Sequence, residues 1–159
     1  TLCDAWGWSR GDRIVHALPL HHVHGVVNAL LCALAANATV HWLQPFDAAL
    51  WWRHVMQHEP TLFFGVPPMY AKLLDEFHHH DGDAAWQARA RAAAQRLRLM
   101  VSGSMALPQS VLHAWHAATG HTLLERYGMT ETGMILSNPY REQRHRRRTA
   151  GGGGRGRPG

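Results

Sequence analysis

Short apolar runs alternate along this chain with longer stretches in which apolar residues recur at helical spacing. Arg13 to Leu18 (Arg-Ile-Val-His-Ala-Leu) reads as a strand stopped by Pro19, and Gly25 to Ala36 as a buried helix rich in Ala and Leu. Thr39 to Leu43 is β-branched and aromatic and reads as strand. Asp47 suits an N-cap, with Leu50, Trp51, Val55 and Met56 following at helical spacing. Thr61 to Phe64 is the next strand. Pro67 and Pro68 suit a helix start, and Tyr70, Leu73, Leu74 and Phe77 then form one face. Ala84 to Gln95 is expected to be a surface helix and Leu97 to Ser102 a strand. Pro108 opens a helix with Val111, Leu112 and Trp115 inward, and Thr122 to Glu125 is the last strand.

Roughly five β-α repeats predict an α/β fold, a parallel sheet flanked by helices. Right-handed crossovers would align the carboxyl ends of all strands on one edge, where open α/β sheets bind ligands. The loops His21–Gly25, Gly65–Pro68, Gly103–Leu107 and Tyr127–Glu131 each follow a predicted strand and should meet there. The last is the richest chemically. Tyr127 can stack on a base, Gly128 lets backbone approach, Thr130 can bind a phosphate oxygen, and Glu131 can hold magnesium, which prefers carboxylate and phosphate oxygens.

Charge changes the picture only at one end. The chain of 159 residues carries a formal +5, but residues 141–159 hold seven Arg against one Glu, leaving −1 for the other 140. The body therefore lacks the charge excess of a nucleic-acid binder, and no nucleic-acid partner is expected. Past Tyr140 no residue could seed a core, so 1–140 reads as the folded domain and 141–159 as a disordered tail. A shifted reading frame or misjoined exon would explain so abrupt a change. Apolar residues make up 46%, enough for one domain with a core. No run reaches the ~20 residues of a membrane span, and no targeting segment is visible. Cys3 and Cys32 suggest no disulfide scaffold, and Cys32 reads as a buried thiol.

Other clusters have plainer readings. His21, His22 and His24 lack a defined metal-ligand spacing and read as a polar or ligand-facing turn before a helix. His78, His79 and His80, taken with His54 and His58, look like a metal cluster, but a solvated helix end accounts for the triplet better. Ser102-Gly103-Ser104 lacks the second Gly of a hydrolase elbow and reads as a tight ligand-binding turn. Arg126 is either a bidentate carboxylate clamp or half of a surface salt bridge.

Four motifs in order, Pro19-Leu20-His21-His22-Val23-His24-Gly25, Gly65-Val66-Pro67-Pro68-Met69-Tyr70, Val101-Ser102-Gly103-Ser104-Met105-Ala106-Leu107-Pro108 and Glu125-Arg126-Tyr127-Gly128-Met129-Thr130-Glu131, resemble the adenylate-forming acyl-CoA synthetase superfamily. The detail is most similar to its mitochondrial malonyl-CoA synthetases. The resemblance spans about residues 5–140 and implies part of the family's large N-terminal domain. It implies an acid–thiol ligase that uses ATP, Mg and CoA to form an acyl-adenylate and then an acyl-CoA, in mitochondria and in fatty acid metabolism. It further implies that Gly103, Ser104, Met105, Tyr127, Gly128, Met129 and Thr130 bind ATP or AMP, and that Thr130, Glu131 and His22 are catalytic, Glu131 holding the Mg. His24, Lys72 and Arg126 would face the acid, with Arg126 pairing the distal carboxylate of malonate. The family's phosphate loop, ribose-binding Asp and adenylation Lys are not among these 159 residues, so no ligase turnover is expected from the chain alone. Two alternatives remain open: a monocarboxylate or fatty acyl-CoA synthetase, and a noncatalytic α/β binding module with an RNA-binding basic tail.

Overall fold

A computed structural model describes residues 1–140. The Arg/Gly-rich segment read as a disordered tail lies outside the described residues. Six strands form one sheet: β1 (Arg13–His16), β2 (Thr39–Trp42), β3 (Leu62–Gly65), β4 (Leu99–Ser102), β5 (Leu124–Met129) and β6 (Gly133–Ser137). Their spatial order is β2-β1-β3-β4-β5-β6. The first five are parallel, as expected. The chain steps one way from β1 to β2 and the other way for all later strands, so the order reverses between β1 and β3. That reversal opens a crevice at the carboxyl edge of a doubly wound sheet.

The helices follow the handedness rule. α3 (Ala48–His58), α4 (Pro67–His79), α5 (Ala84–Arg96) and α6 (Gln109–Thr119) pack together on one face, while α1 (Leu2–Ala5) and α2 (Cys32–Ala35) touch each other on the opposite one. Alternate residues of a strand point to opposite faces, and the two adjacent Phe of β3 divide accordingly. Phe63 packs at 5.0 Å from Trp51 within a cluster that continues through Trp52, Trp115 and Tyr70, all fully buried. Phe64 faces the other way, 5.2 Å from Trp6 and 5.7 Å from Trp8. Two buried polar groups on the helical face are tied down: Tyr70 Oη donates to the Val101 carbonyl at 2.8 Å and Trp52 Nε1 to the Leu73 carbonyl at 3.0 Å, whereas Trp51 Nε1 and Trp115 Nε1 have no hydrogen-bond partner among the described residues. Asp47 caps α3 by accepting from Leu50 N at 2.7 Å, as its position predicts.

Two expectations need correction. The sheet is not wholly parallel, because β6 pairs antiparallel with β5. The segment read as a loop from Tyr127 to Glu131 is largely strand: β5 runs through Met129, and only Thr130 to Thr132 form the hairpin turn. Thr132 N donates to Met129 O at 3.3 Å, and Gly133 follows with φ +68. A turn followed by a left-handed glycine is a common three-residue hairpin connection, and Gly133 was the available signal for it. The helix expected from Gly25 to Ala36 does form, but its first part, His24–Leu31, is π-helical before it continues as α2. It is buried on one side only; Leu31 and Leu34 are 49% and 57% exposed.

At the amino edge of the sheet, Asp12 and Arg98 form a forked ion pair, Nε–Oδ1 2.7 Å and Nη2–Oδ2 2.8 Å. Arg98 Nη1 also donates to Trp6 O at 2.9 Å, and Thr61 Oγ1 donates to Asp12 Oδ1 at 2.8 Å. Burial alone would raise the Asp12 pKa, but the hydrogen bonds from Arg98 and Thr61 and the Arg98 charge hold it below its ordinary value. Asp12→Ala should cost about 3 kcal/mol in chemical denaturation, because Arg98, largely shielded from water, is left without its carboxylate. A carboxylate with a depressed folded pKa stabilises the fold above its unfolded value of about 4. That contribution is lost as pH falls through the folded value, so the variant's deficit should shrink under strong acid.

Candidate functional site

The carboxyl ends of β1, β3, β4 and β5 surround a cavity of about 600 Å³. After β1 the chain turns at Pro19 and starts the π-helical segment, with His22 O accepting from Gly25 N at 3.0 Å. A side chain at Gly25 would lie 2.2 Å from Pro19 O, so only glycine permits this close return. Past β3, Val66 and Met69 line the wall; past β4, Ser104 and Met105 do. From the β5–β6 hairpin come Arg126, Gly128, Met129, Thr130, Glu131 and Gly133. The four loops singled out in the sequence therefore meet at one edge.

A short relay crosses the floor of this cavity. Arg126 Nη2 donates to Ser104 Oγ at 3.3 Å, and Ser104 Oγ lies 3.2 Å from His24 Nδ1. The chain is coherent when the Ser104 hydroxyl donates to Nδ1, which puts the His24 proton on Nε2. Ser104 reaches both partners from a left-handed backbone, φ +67. Gly103 makes room, since a Cβ there would sit 2.1 Å from Arg126 Nε. Arg126 is 9% exposed and has no carboxylate partner among the described residues, so the salt-bridge reading falls away. Among the described residues its Nε and the His24 Nε2 are buried without a hydrogen-bond partner. With the His24 proton on Nε2, two unanswered donors and one guanidinium charge give this floor the chemistry to receive an anion.

Burial pushes the His24 pKa down to about 3, and the charges of Arg126 and His16 push the same way. Burial also lowers Arg126, to about 10, which leaves it charged at neutral pH while His24 is neutral. His16, buried behind the π-helical segment and bonded through Nε2 to Gly25 O at 3.0 Å, is lowered by burial as well. A histidine whose folded pKa lies below its unfolded value of about 6.5 binds protons more readily when unfolded. Thermal midpoints should therefore fall steadily as pH drops from about 6.5 toward 4, through these imidazoles together with His54, lowered by burial to about 4, and His41, also lowered by burial. His24→Gln should flatten that slope in a calorimetric pH series.

A second cavity, about 530 Å³, adjoins the first across Ser104, Met105, Arg126 and Gly128. Ala106, Glu125, Tyr127, Leu136, Ser137 and Asn138 complete its lining. The Tyr127 ring is 53% exposed there and free to receive a flat ligand. Of the residues singled out in the sequence, Gly103 is buried behind Arg126, whereas Lys72 sits apart. It lines neither cavity and is exposed on α4, one turn beyond Met69. The histidines that together look like a metal cluster divide. His54 and His58 meet His41 on β2, with His41 Nδ1 2.8 Å from His54 Nε2. His80 instead stacks on Trp86 at 3.9 Å beyond the end of α4. Among the described residues no group of three or more His, Cys, Asp or Glu could hold a metal ion. Sequence reasoning missed Asn28, buried in the first cavity's wall with an unpartnered Oδ1. A polar residue interrupting the apolar run from Val26 to Ala36 was its only signal.

The model of the AMP-binding enzyme family matches residues 1–156. The mouse (Mus musculus) mitochondrial malonate–CoA ligase ACSF3 is 52% identical over 147 residues, 90% of this chain and 25% of that protein. The Arabidopsis thaliana malonate–CoA ligase is 44% identical over 154 residues, 91% of this chain and 25% of that protein. Among solved structures, a malonyl-CoA ligase with methylmalonyl-CoA and AMP bound is similar at TM-score 0.77 and 37% identity, over 87% of this chain and 28% of that one. The chain thus spans about a quarter of the length of the relatives it matches.

Proposed function

Because the chain belongs to the AMP-binding enzyme family, we propose that it forms the acid- and adenine-binding part of an ATP-dependent ligase joining malonate to CoA. The observation that carries this reading is the buried Arg126 guanidinium with its unanswered Nε, next to neutral His24. A monocarboxylic acid would leave that charge facing an apolar tail. The distal carboxylate of malonate answers it, with the His24 Nε2 proton as a second donor. Lys72, exposed on α4, is left out of this role.

In the proposed reaction a carboxylate oxygen of malonate attacks the α-phosphorus of ATP and pyrophosphate leaves. The CoA thiol sulfur then attacks the acyl carbon, the bond to AMP oxygen breaks, and AMP leaves. The second cavity suits adenine: Tyr127 supplies a face, and the Gly103–Met105 turn supplies backbone beside it. The hydroxyl of Thr130 suits a phosphate oxygen, and His22 at the rim of the first cavity is proposed to border the reacting groups. Glu131 and Thr130 on the exposed hairpin turn fit a Mg ion, which binds through one or two carboxylates together with substrate phosphates. There the ion would neutralise phosphate charge as pyrophosphate departs. A mitochondrial location is proposed because the mouse relative is named mitochondrial.

The test has two arms. Calorimetric titration of the chain should give saturable binding of malonate and none of acetate at the same concentration. Residues 1–140 exchanged for the matching segment of the mouse ligase should support malonate-dependent AMP release. Equal affinity for acetate and malonate would favour a monocarboxylate enzyme and sink the malonate assignment.

A further inference from the structure

The two cysteines of this chain stand 29 residues apart in sequence, yet the fold brings them together. Cys3 on α1 donates through its Sγ to the carbonyl oxygen of Cys32 on α2 at 3.8 Å. Both are free. Their surroundings differ. Cys3 is half-buried and reachable from solvent, whereas Cys32 is 7% exposed beneath it. α1 is four residues long and held by the reciprocal Thr1–Asp4 cap. The helix that carries Cys32 begins at His24, on the wall of the first cavity.

We infer that Cys3 and Cys32 form a reversible intramolecular disulfide, Cys3 reacting first with hydrogen peroxide and Cys32 resolving the product. In the first step the Cys3 sulfur attacks one peroxide oxygen. The O–O bond breaks, sulfur is oxidised to a sulfenic acid, and the second oxygen leaves as water. In the second step the Cys32 sulfur attacks the Cys3 sulfur. The S–O bond breaks and the departing hydroxide takes the Cys32 proton, leaving as a second water. Burial, and then the adjacent Cys3, push the Cys32 thiol up to about 12, so Cys32 stays protonated and is not the first of the two to react. Burial also denies Cys32 to bulky reagents, which fits a resolving thiol and not a first-reacting one. Closing the bridge would staple α1 to the helix that starts at His24 and enclose β1 and the Pro19 turn in one loop. This reading concerns the opposite face of the sheet from α3–α6 and does not depend on the ligase assignment.

The experiment is peroxide treatment of the reduced 159-residue chain, followed by alkylation and mass spectrometry without reductant. The expected product has lost two hydrogens, yields a cross-linked peptide joining Cys3 to Cys32, and reverts with dithiothreitol. Proximity should make the reaction at least about tenfold faster than in concentrated guanidinium chloride. Cys32→Ser should stop the reaction at a Cys3 sulfenic acid that dimedone traps, and Cys3→Ser should leave Cys32 unreactive. Disulfide-linked dimers, sulfinic acid on Cys3 with Cys32 still open to alkylation after unfolding, or equal rates in native and denatured chain would each overturn the proposal.

Discussion

Arg126→Ala should weaken malonate binding by roughly 2–5 kcal/mol, the usual cost of truncating one side of a buried, hydrogen-bonded charge pair. That corresponds to about 30-fold to several thousand-fold in affinity. The site's geometry makes the loss selective. Arg126 is the guanidinium at the cavity floor, and its Nε has no hydrogen-bond partner among the described residues. Acetate, with no second carboxylate, should bind the variant no worse than it binds the parent chain. Arg126→Lys should recover only part of the loss, because an ammonium cannot reproduce a fork aimed at both Ser104 and a carboxylate. Truncation also removes a buried cation with no counter-charge among the described residues, so the folded chain should lose little stability or even gain some. Titration calorimetry with malonate and acetate, alongside thermal melts, separates the two effects. Equal loss for both acids, or an unfolded variant, would break the link between Arg126 and the distal carboxylate.

Much of the architecture was legible because it rests on local pattern. The parallel strands follow from short runs such as Thr61 to Phe64, and the inward helix faces from positions such as Tyr70, Leu73 and Phe77, all buried. The meeting of four loops at one edge follows from topology. What escaped were features set by contacts distant in sequence or by backbone geometry. The pairing of β6 with β5 depends on the left-handed Gly133, and β6 itself is a poor advertisement for a strand, with Ile135 and Leu136 largely exposed. The neutral state of His24 depends on burial against Phe64 and on Arg126, from another strand. Lys72 shows what residue type alone leaves open. Its residue type suits a carboxylate, but α4 turns it outward, and only the rotation of that helix against the sheet decides this. Composition likewise could not have found the Cys3–Cys32 pair, since neither residue has a local motif.

Gly103 and Gly128 should respond to alanine in opposite ways, and the contrast separates recognition from folding. At Gly103 the added methyl would sit 2.1 Å from Arg126 Nε, 2.5 Å from Cζ and 2.8 Å from Cδ. All three belong to one side chain, which can swing away without disturbing the sheet. Gly103→Ala should therefore melt close to the parent chain while losing malonate affinity nearly as far as Arg126→Ala, because the guanidinium is displaced from the floor. Combining the two substitutions should cost no more affinity than either alone, since both remove the same contact. At Gly128 the added methyl would meet Gly133 O at 2.3 Å and Met134 Cα at 3.0 Å. These are backbone atoms of the paired strand, in the stretch where the β5–β6 register shifts between Tyr127 and Gly128. They can move only if the hairpin opens. Gly128→Ala should then destabilise the chain by about 1–3 kcal/mol, the usual range for overpacking. It should also raise amide exchange across Leu124–Met129 and Gly133–Ser137, and release Thr130 and Glu131 from the cavity rim. A stable Gly128→Ala hairpin with unchanged exchange would mean that the close approach of the two strands is not what holds that rim.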